Sequence, residues 1–197
     1  SSDLAAQFSE FLRLEAGAIL RKGDMKGAEN RLREGLKMQA SNPGLLDSLS
    51  FLLVSTDRLE EAGQVVDQWL QVKADDIGAM QRKALILIRG QKYQQAVELL
   101  TKILRVQPEN STALINRAIS LLQSQRYDEA LRDYKQLVEK FPESHEIQFG
   151  LGQIQVARKN PQRAIEHFEN YLKRAPRETA EYTNVLKQVA ELKAKKP

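Results

Sequence analysis

The sequence contains no cysteine among its 197 residues. Disulfide bonds, cysteine nucleophiles and cysteine-bound zinc are therefore excluded. Histidine is almost as scarce: His145 and His167 stand alone, and neither belongs to a serine–aspartate or metal-ligand pattern. No glycine-rich phosphate loop occurs. We expect Gly23 and Gly90 to lie between helices, in the left-handed conformation that helix ends need. The residues predict a protein that is not an enzyme and holds no cofactor or metal.

Long apolar runs and a strong excess of one charge are also missing. The longest wholly apolar run is 84–88, far short of the ~20 residues that cross a bilayer. The 30 basic and 26 acidic residues are interspersed, which favours a solvated surface and argues against nucleic-acid binding. No secretory signal sequence is recognisable. A cytoplasmic location is favoured, while a periplasmic or secreted one stays open because the chain begins with Ser1.

Small residues recur with an unbroken spacing of 34 positions. One set consists of Ala28, Ala62, Ala96, Ala130 and Ala164. A second set, twelve residues earlier, consists of Ala16, Ser50, Ala84, Ala118 and Gly152. Prolines keep the same spacing at Pro108, Pro142 and Pro176. We call the ten small residues the repeat positions; their spacing predicts a tandem array of structural repeats.

Residues 111–144 show the pattern within one repeat. Apolar residues with helical spacing predict a first helix; they are Leu114, Ala118, Leu121 and Leu122. A second helix is predicted before Pro142 from Tyr127, Ala130, Leu131, Tyr134, Leu137 and Val138. We expect Ala118 and Ala130 to mark the close crossing of the two helices. A larger side chain there would force them apart, at about 1–3 kcal/mol.

This arrangement resembles the tetratricopeptide repeat (TPR). The positions that carry the resemblance in this unit are Leu114, Ala118, Leu121, Tyr127, Ala130, Tyr134 and Pro142. The resemblance implies an all-α fold, a right-handed α–α superhelical solenoid of antiparallel helix pairs. Five units are expected, at 9–42, 43–76, 77–110, 111–144 and 145–178.

The flanking segments are predicted to end the array. Residues 1–8 extend the first helix, and residues 179–197 form a capping helix with a basic tail. We expect the capping helix to bury one face, made of Tyr182, Val185, Leu186 and Val189.

The resemblance also implies a concave surface lined by the first helices. Candidate partner-binding residues on it are Arg13, Asp47, Phe51, Gln81, Leu85, Ile88, Ile115, Ile119, Phe149 and Gln153. Many of these are apolar, which predicts a groove for a peptide or an amphipathic helix with apolar anchors. The alternative is that part of this apolar strip packs against the following helix.

The predicted function is a non-catalytic protein–protein interaction scaffold. The alternative is a regulatory or substrate-recruiting domain of a larger enzyme or of a secretion or assembly machine. Some TPR domains hold a chaperone C-terminus with a two-carboxylate clamp of lysine, asparagine and arginine. No three successive units supply it: units three to five provide only Asn116 of its five residues, and units two to four provide none. Units one to three place Arg82 at its final arginine and Arg13 where it has a lysine, so the clamp is absent. The expected partner is a protein or peptide; self-association stays open.

Overall fold

The structure is a computed structural model that describes residues 2–194, with only the backbone of Ser2. These residues form eleven α-helices and no strand. The first helices of the pairs are α1 (Ser2–Arg21), α3 (Pro43–Ser55), α5 (Ile77–Arg89), α7 (Ser111–Gln123) and α9 (His145–Ala157). The second helices are α2 (Met25–Met38), α4 (Leu59–Val72), α6 (Tyr93–Val106), α8 (Tyr127–Lys140) and α10 (Pro161–Arg174), and α11 (Ala180–Ala194) follows. Most of the predicted basic tail lies outside the described residues.

The chain divides into two compact units, residues 1–99 and 100–197, and the division falls within α6. In the first unit, α3 packs against α1, α2, α4 and α5. In the second unit, α9 packs against α7, α8 and α10, and α11 packs against α10. In each unit, then, a first helix contacts the next first helix as well as its own partner.

Side-chain caps start four of the first helices at the same place in the repeat. Each cap oxygen accepts a hydrogen bond from the backbone N–H three residues later, at 3.0–3.4 Å. The caps are Asn42, Asp76, Asn110 and Ser144. Such a cap contributes about 1 kcal/mol because it satisfies a donor that the helix cannot.

A residue with a left-handed backbone lies two positions after the end of each first helix. Among the described residues, a positive φ occurs at Gly23, Asp57, Gln91, Gln125 and Lys159, which again lie 34 residues apart. At each, the next residue's N–H reaches back to a carbonyl five residues earlier, as from Lys92 to Leu87 at 2.8 Å. This is the Schellman ending. The prediction for Gly90 was wrong: its φ is −78°, because the left-handed position falls one residue later.

The ten repeat positions are buried in their units. Two glycines of α9 show how tight this packing is. A Cβ on Gly152 would lie 2.4 Å from the ring of Phe168, and one on Gly150 would lie 2.3 Å from the ring of Tyr134. Both distances are too short for an alanine without movement of the ring. The repeat position Gly152 is therefore a glycine because the Phe168 ring occupies the space that a side chain would need.

Helix α11 covers the end of the second unit. Val185 and Val189 are buried with Phe168 and Tyr171, and Tyr182 packs beside them. Leu186, predicted to share this buried face, is 48% exposed. It lies about 100° around the helix from Val185, which turns it away from α10.

Candidate functional site

A cleft opens in the first unit among α1, α2, α3 and α5. Its volume is about 240 Å³. The cleft is lined by residues of these helices, among them Arg13, Gly17 and Leu20 from α1, Asp47 and Phe51 from α3, and Arg82 from α5. Because α3 contacts both α1 and α5, the packing of the unit holds these groups together.

The apolar part of the cleft is built on Phe51. This side chain is 51% exposed, whereas its neighbour Leu52 is buried in the core. Gly17 leaves space on the opposite side, since a Cβ there would have Arg21 as its nearest neighbour, at 3.8 Å. The phenyl ring thus offers an apolar surface that a partner's side chain can cover.

The polar rim of the cleft consists of ion pairs. Arg82 donates from Nη2 to Oδ1 of Asp47 at 2.8 Å, and its guanidinium lies 5.3 Å from the centre of the Phe51 ring. Among the described atoms, its buried Nε has no hydrogen-bond partner. Arg13 donates to both carboxylate oxygens of Glu10, at 2.8 and 2.6 Å, and this hydrogen bonding lowers the pKa of Glu10. The two arginines, Arg13 and Arg82, are balanced by the two acids Asp47 and Glu10. The rim therefore offers cationic hydrogen-bond donors and anionic acceptors.

Three of the predicted partner-binding residues, Arg13, Asp47 and Phe51, meet in this cleft. Gln81, Leu85 and Ile88 lie half-buried on α5 and do not line it. Leu85 packs against the core of the first unit.

The remaining predicted residues belong to the second unit. Ile115 and Ile119 lie on α7, half-buried and 36% exposed respectively. Phe149 and Gln153 lie half-buried on α9. The Phe149 ring packs against Phe168 and Tyr171, with ring centres 6.2 and 5.6 Å apart. Much of its surface therefore serves the core of this unit.

Arg82 lines the cleft but was not among the partner-binding residues predicted from the sequence. Asp47 and Arg82 are 35 residues apart, one more than the repeat, so their opposite charges lie on neighbouring first helices with a shift of one position. The bond from Arg89 to the carbonyl of Val54, at 2.7 Å, spans the same 35 residues. The only indication of this contact in the sequence was an acid and a base 35 residues apart.

The two histidines have different polar neighbours in the second unit. Nδ1 of His167 lies 2.9 Å from Oε1 of Gln148, a buried amide on α9, and burial lowers the pKa of this histidine. His145 lies beside Glu146, at 3.4 Å. Within residues 2–194, no group of three or more histidine and acidic side chains could hold a metal ion. None of the helices in that range has the length and apolarity that a membrane crossing needs.

Comparison with known proteins places these features in a family. A family model described as tetratricopeptide repeat matches residues 82–131 and 115–179, together about half of the chain. The sequence has no match among curated proteins.

Solved structures match over most of the chain. MamA from Desulfovibrio magneticus RS-1 has a TM-score of 0.79 at 20% identity, over 84% of this chain and 94% of that one. A tetratricopeptide repeat protein from Parabacteroides merdae has a TM-score of 0.81 at 22% identity, over 94% of this chain and 72% of that one. YrrB, described as a TPR protein with an unusual peptide-binding site, has a TM-score of 0.73 at 14% identity, over 87% and 88%. At these identities, the likeness shows the fold.

The helical pairs, the 34-residue spacing and the shared fold agree with the family model. The chain belongs to the tetratricopeptide-repeat family.

Proposed function

We propose that the protein is a non-catalytic scaffold whose first unit binds a peptide segment through the cleft around Phe51. TPR proteins serve in general as protein–protein interaction scaffolds. The observation that carries the finer proposal is the half-exposed phenyl ring of Phe51 at the centre of a cleft with a polar rim.

The size of the cleft favours a peptide over a small molecule. Its volume of about 240 Å³ is below the roughly 300–1,000 Å³ of sites that enclose cofactors and drug-sized ligands. A space of this size takes one large apolar side chain. Peptide recognition commonly uses a few such anchors, with main-chain hydrogen bonds around them.

The rim suits the backbone of such a segment. Asp47 can accept hydrogen bonds from peptide N–H groups, and Arg13 and Arg82 can donate to carbonyl oxygens. All three side chains are oriented by ion pairs with Glu10 or with each other, so little side-chain freedom is lost on binding. The balanced charge favours a segment chosen by its apolar anchor.

A random phage-displayed peptide library, selected on the purified chain, tests this proposal. We expect the selected peptides to share a large apolar residue. Binding of a selected peptide should weaken at least tenfold in Phe51→Ser, because truncating a central aromatic anchor removes more than about 1.4 kcal/mol. Val106→Ser is the control, since Val106 is an exposed apolar residue of α6 outside the cleft.

A second pair of variants distinguishes loss of binding caused by a filled cleft from loss of binding caused by unfolding. Gly17→Leu puts a side chain into the open space of the cleft, and Gly63→Leu makes the same change on α4, where a Cβ would have no neighbour within 4 Å. Both should stabilise their helices, because leucine has a higher helix propensity than glycine. Only Gly17→Leu should abolish peptide binding. Equal binding by both variants would contradict the proposed site.

A further inference from the structure

Helix α1 carries a second exposed apolar surface, separate from the cleft. Leu4, Phe8, Phe11 and Leu14 are all exposed, Leu4 by 68% and Phe11 by 56%. They lie on one face because their spacing follows the turns of the helix. The rings of Phe8 and Phe11 stack with centres 6.0 Å apart. We call these four residues the α1 stripe.

The four residues of the stripe are not among the buried residues of their unit. An adjoining face of α1 supplies the core of the unit through Leu12 and Ala16, which are 1% and 2% exposed. An exposed group of two phenylalanines and two leucines is as large as the apolar patches that mark interaction sites on soluble proteins. The stripe has the spacing by which one helix packs against another.

The sizes of the side chains along the stripe allow two copies of α1 to pack against each other. When two copies of α1 cross antiparallel at Phe11, Leu4 of one copy meets Ala18 of the other, and Phe8 meets Leu14. The bulky Leu4 then faces a small residue, and the aromatic rings come together at the centre. The Leu4–Ala18 and Phe8–Leu14 contacts each occur twice, and the Phe11–Phe11 contact lies on the two-fold axis.

The charges beside the stripe favour the same antiparallel direction. The first half of α1 carries two acids, Asp3 and Glu10, and no base, whereas its second half carries Arg13, Arg21 and one acid, Glu15, before Lys22 in the following turn. An antiparallel pair brings the acidic half of each copy towards the basic end of the other. A parallel pair would bring like charges together.

We propose that the chain forms a two-fold dimer in which the α1 stripes of two copies pack antiparallel across Phe11. Each exposed side chain supplies on the order of 100 Å², so the eight side chains bury roughly 800 Å². Stable complexes bury about 1,200–2,000 Å². The dimer is therefore weak and forms at high protein concentration.

Sedimentation analysis of the whole chain over a hundredfold range of concentration tests the proposal. The wild type should shift from monomer to dimer as concentration rises. Phe11→Glu should stay monomeric, because its charge would be buried at the two-fold axis, while circular dichroism shows that its helices are retained. Phe51→Ser should dimerise like the wild type. A monomeric wild type at every concentration, or a dimer lost in Phe51→Ser and kept in Phe11→Glu, overturns the proposal.

Cross-linking tests the direction of the helices, and the absence of native cysteines makes it specific. A short bismaleimide should join Leu4→Cys chains to Ala18→Cys chains when the two are mixed. It should not join two Leu4→Cys chains, whose residues 4 would lie about 21 Å apart along the helices, or 14 residues at 1.5 Å each. Efficient linkage between two Leu4→Cys chains would overturn the antiparallel arrangement.

Discussion

Two glycines of the first unit should respond to the same substitution in opposite ways. Gly23 has a φ of +85°, and Gly63 lies inside α4 with ordinary helical geometry. A Cβ added at either residue would meet nothing within 4 Å. Steric contact therefore cannot separate Gly23→Ala from Gly63→Ala, and the difference between them comes from the backbone alone.

The magnitudes follow from the two conformations. A left-handed backbone costs a non-glycine residue about 1–2 kcal/mol, and alanine regains about 0.5–1 kcal/mol because it restricts the unfolded chain. Gly23→Ala should therefore destabilise the protein by up to about 1.5 kcal/mol. Gly63→Ala should stabilise it by about 0.5–1 kcal/mol, the helix propensity difference.

Urea unfolding followed by circular dichroism at 222 nm measures both effects. The midpoint should fall for Gly23→Ala and rise for Gly63→Ala, with the slope m unchanged. Because both residues belong to the first unit, the comparison stays valid where a repeat protein unfolds in stages. A shift of both midpoints in the same direction would refute the left-handed assignment at the helix end.

Three further changes test the packing and the ion pairs by the same unfolding measurement. Gly152→Ala should destabilise by up to about 2 kcal/mol, the overpacking against Phe168 less the gain in helix propensity; a gain in stability would mean that the ring has room to move. Asp133→Asn should destabilise by about 2–4 kcal/mol. Asp133 is buried and accepts bonds from Nε and Nη2 of Arg117 at 2.8 and 2.7 Å, so its loss leaves a cation without its partner. An unchanged midpoint would contradict this bidentate pair. Glu29→Gln should destabilise at pH 7 and progressively less as the pH falls from about 4.5. The hydrogen bond from an arginine lowers the pKa of Glu29, so its contribution is present above the unfolded-state pKa and is lost through the folded-state pKa. A loss that is independent of pH would exclude this ion pair as the cause.

The fold could be predicted because its determinants recur. A small residue every 34 positions sets the close helix crossings, and the prolines that recur do so with the same spacing. The helix ends were harder to predict, since the left-handed positions after Gly23 hold three different residue types, at Asp57, Gln91, Gln125 and Lys159. Their conformation is imposed by the backbone hydrogen bonds of the Schellman ending, which outweigh the preference of each residue.

The candidate site could be predicted only in part. The 34-residue step identified Arg13, Asp47 and Phe51 because it assigns faces to the first helices. It missed Arg82, whose contact with Asp47 is shifted by one residue, because the crossing of neighbouring helices depends on side-chain sizes that a periodic pattern does not contain. The same limit applies to Leu85 and Phe149. Whether an apolar residue of the strip faces solvent or the core depends on the local packing of each unit.

A crystal structure of the chain with a peptide selected from the library is the most direct test of the proposed function. We predict that a large apolar side chain of the peptide lies against the Phe51 ring, with its main chain bonded to Asp47 and to Arg13 or Arg82. A peptide bound elsewhere, with the cleft of the first unit unfilled, would contradict the account.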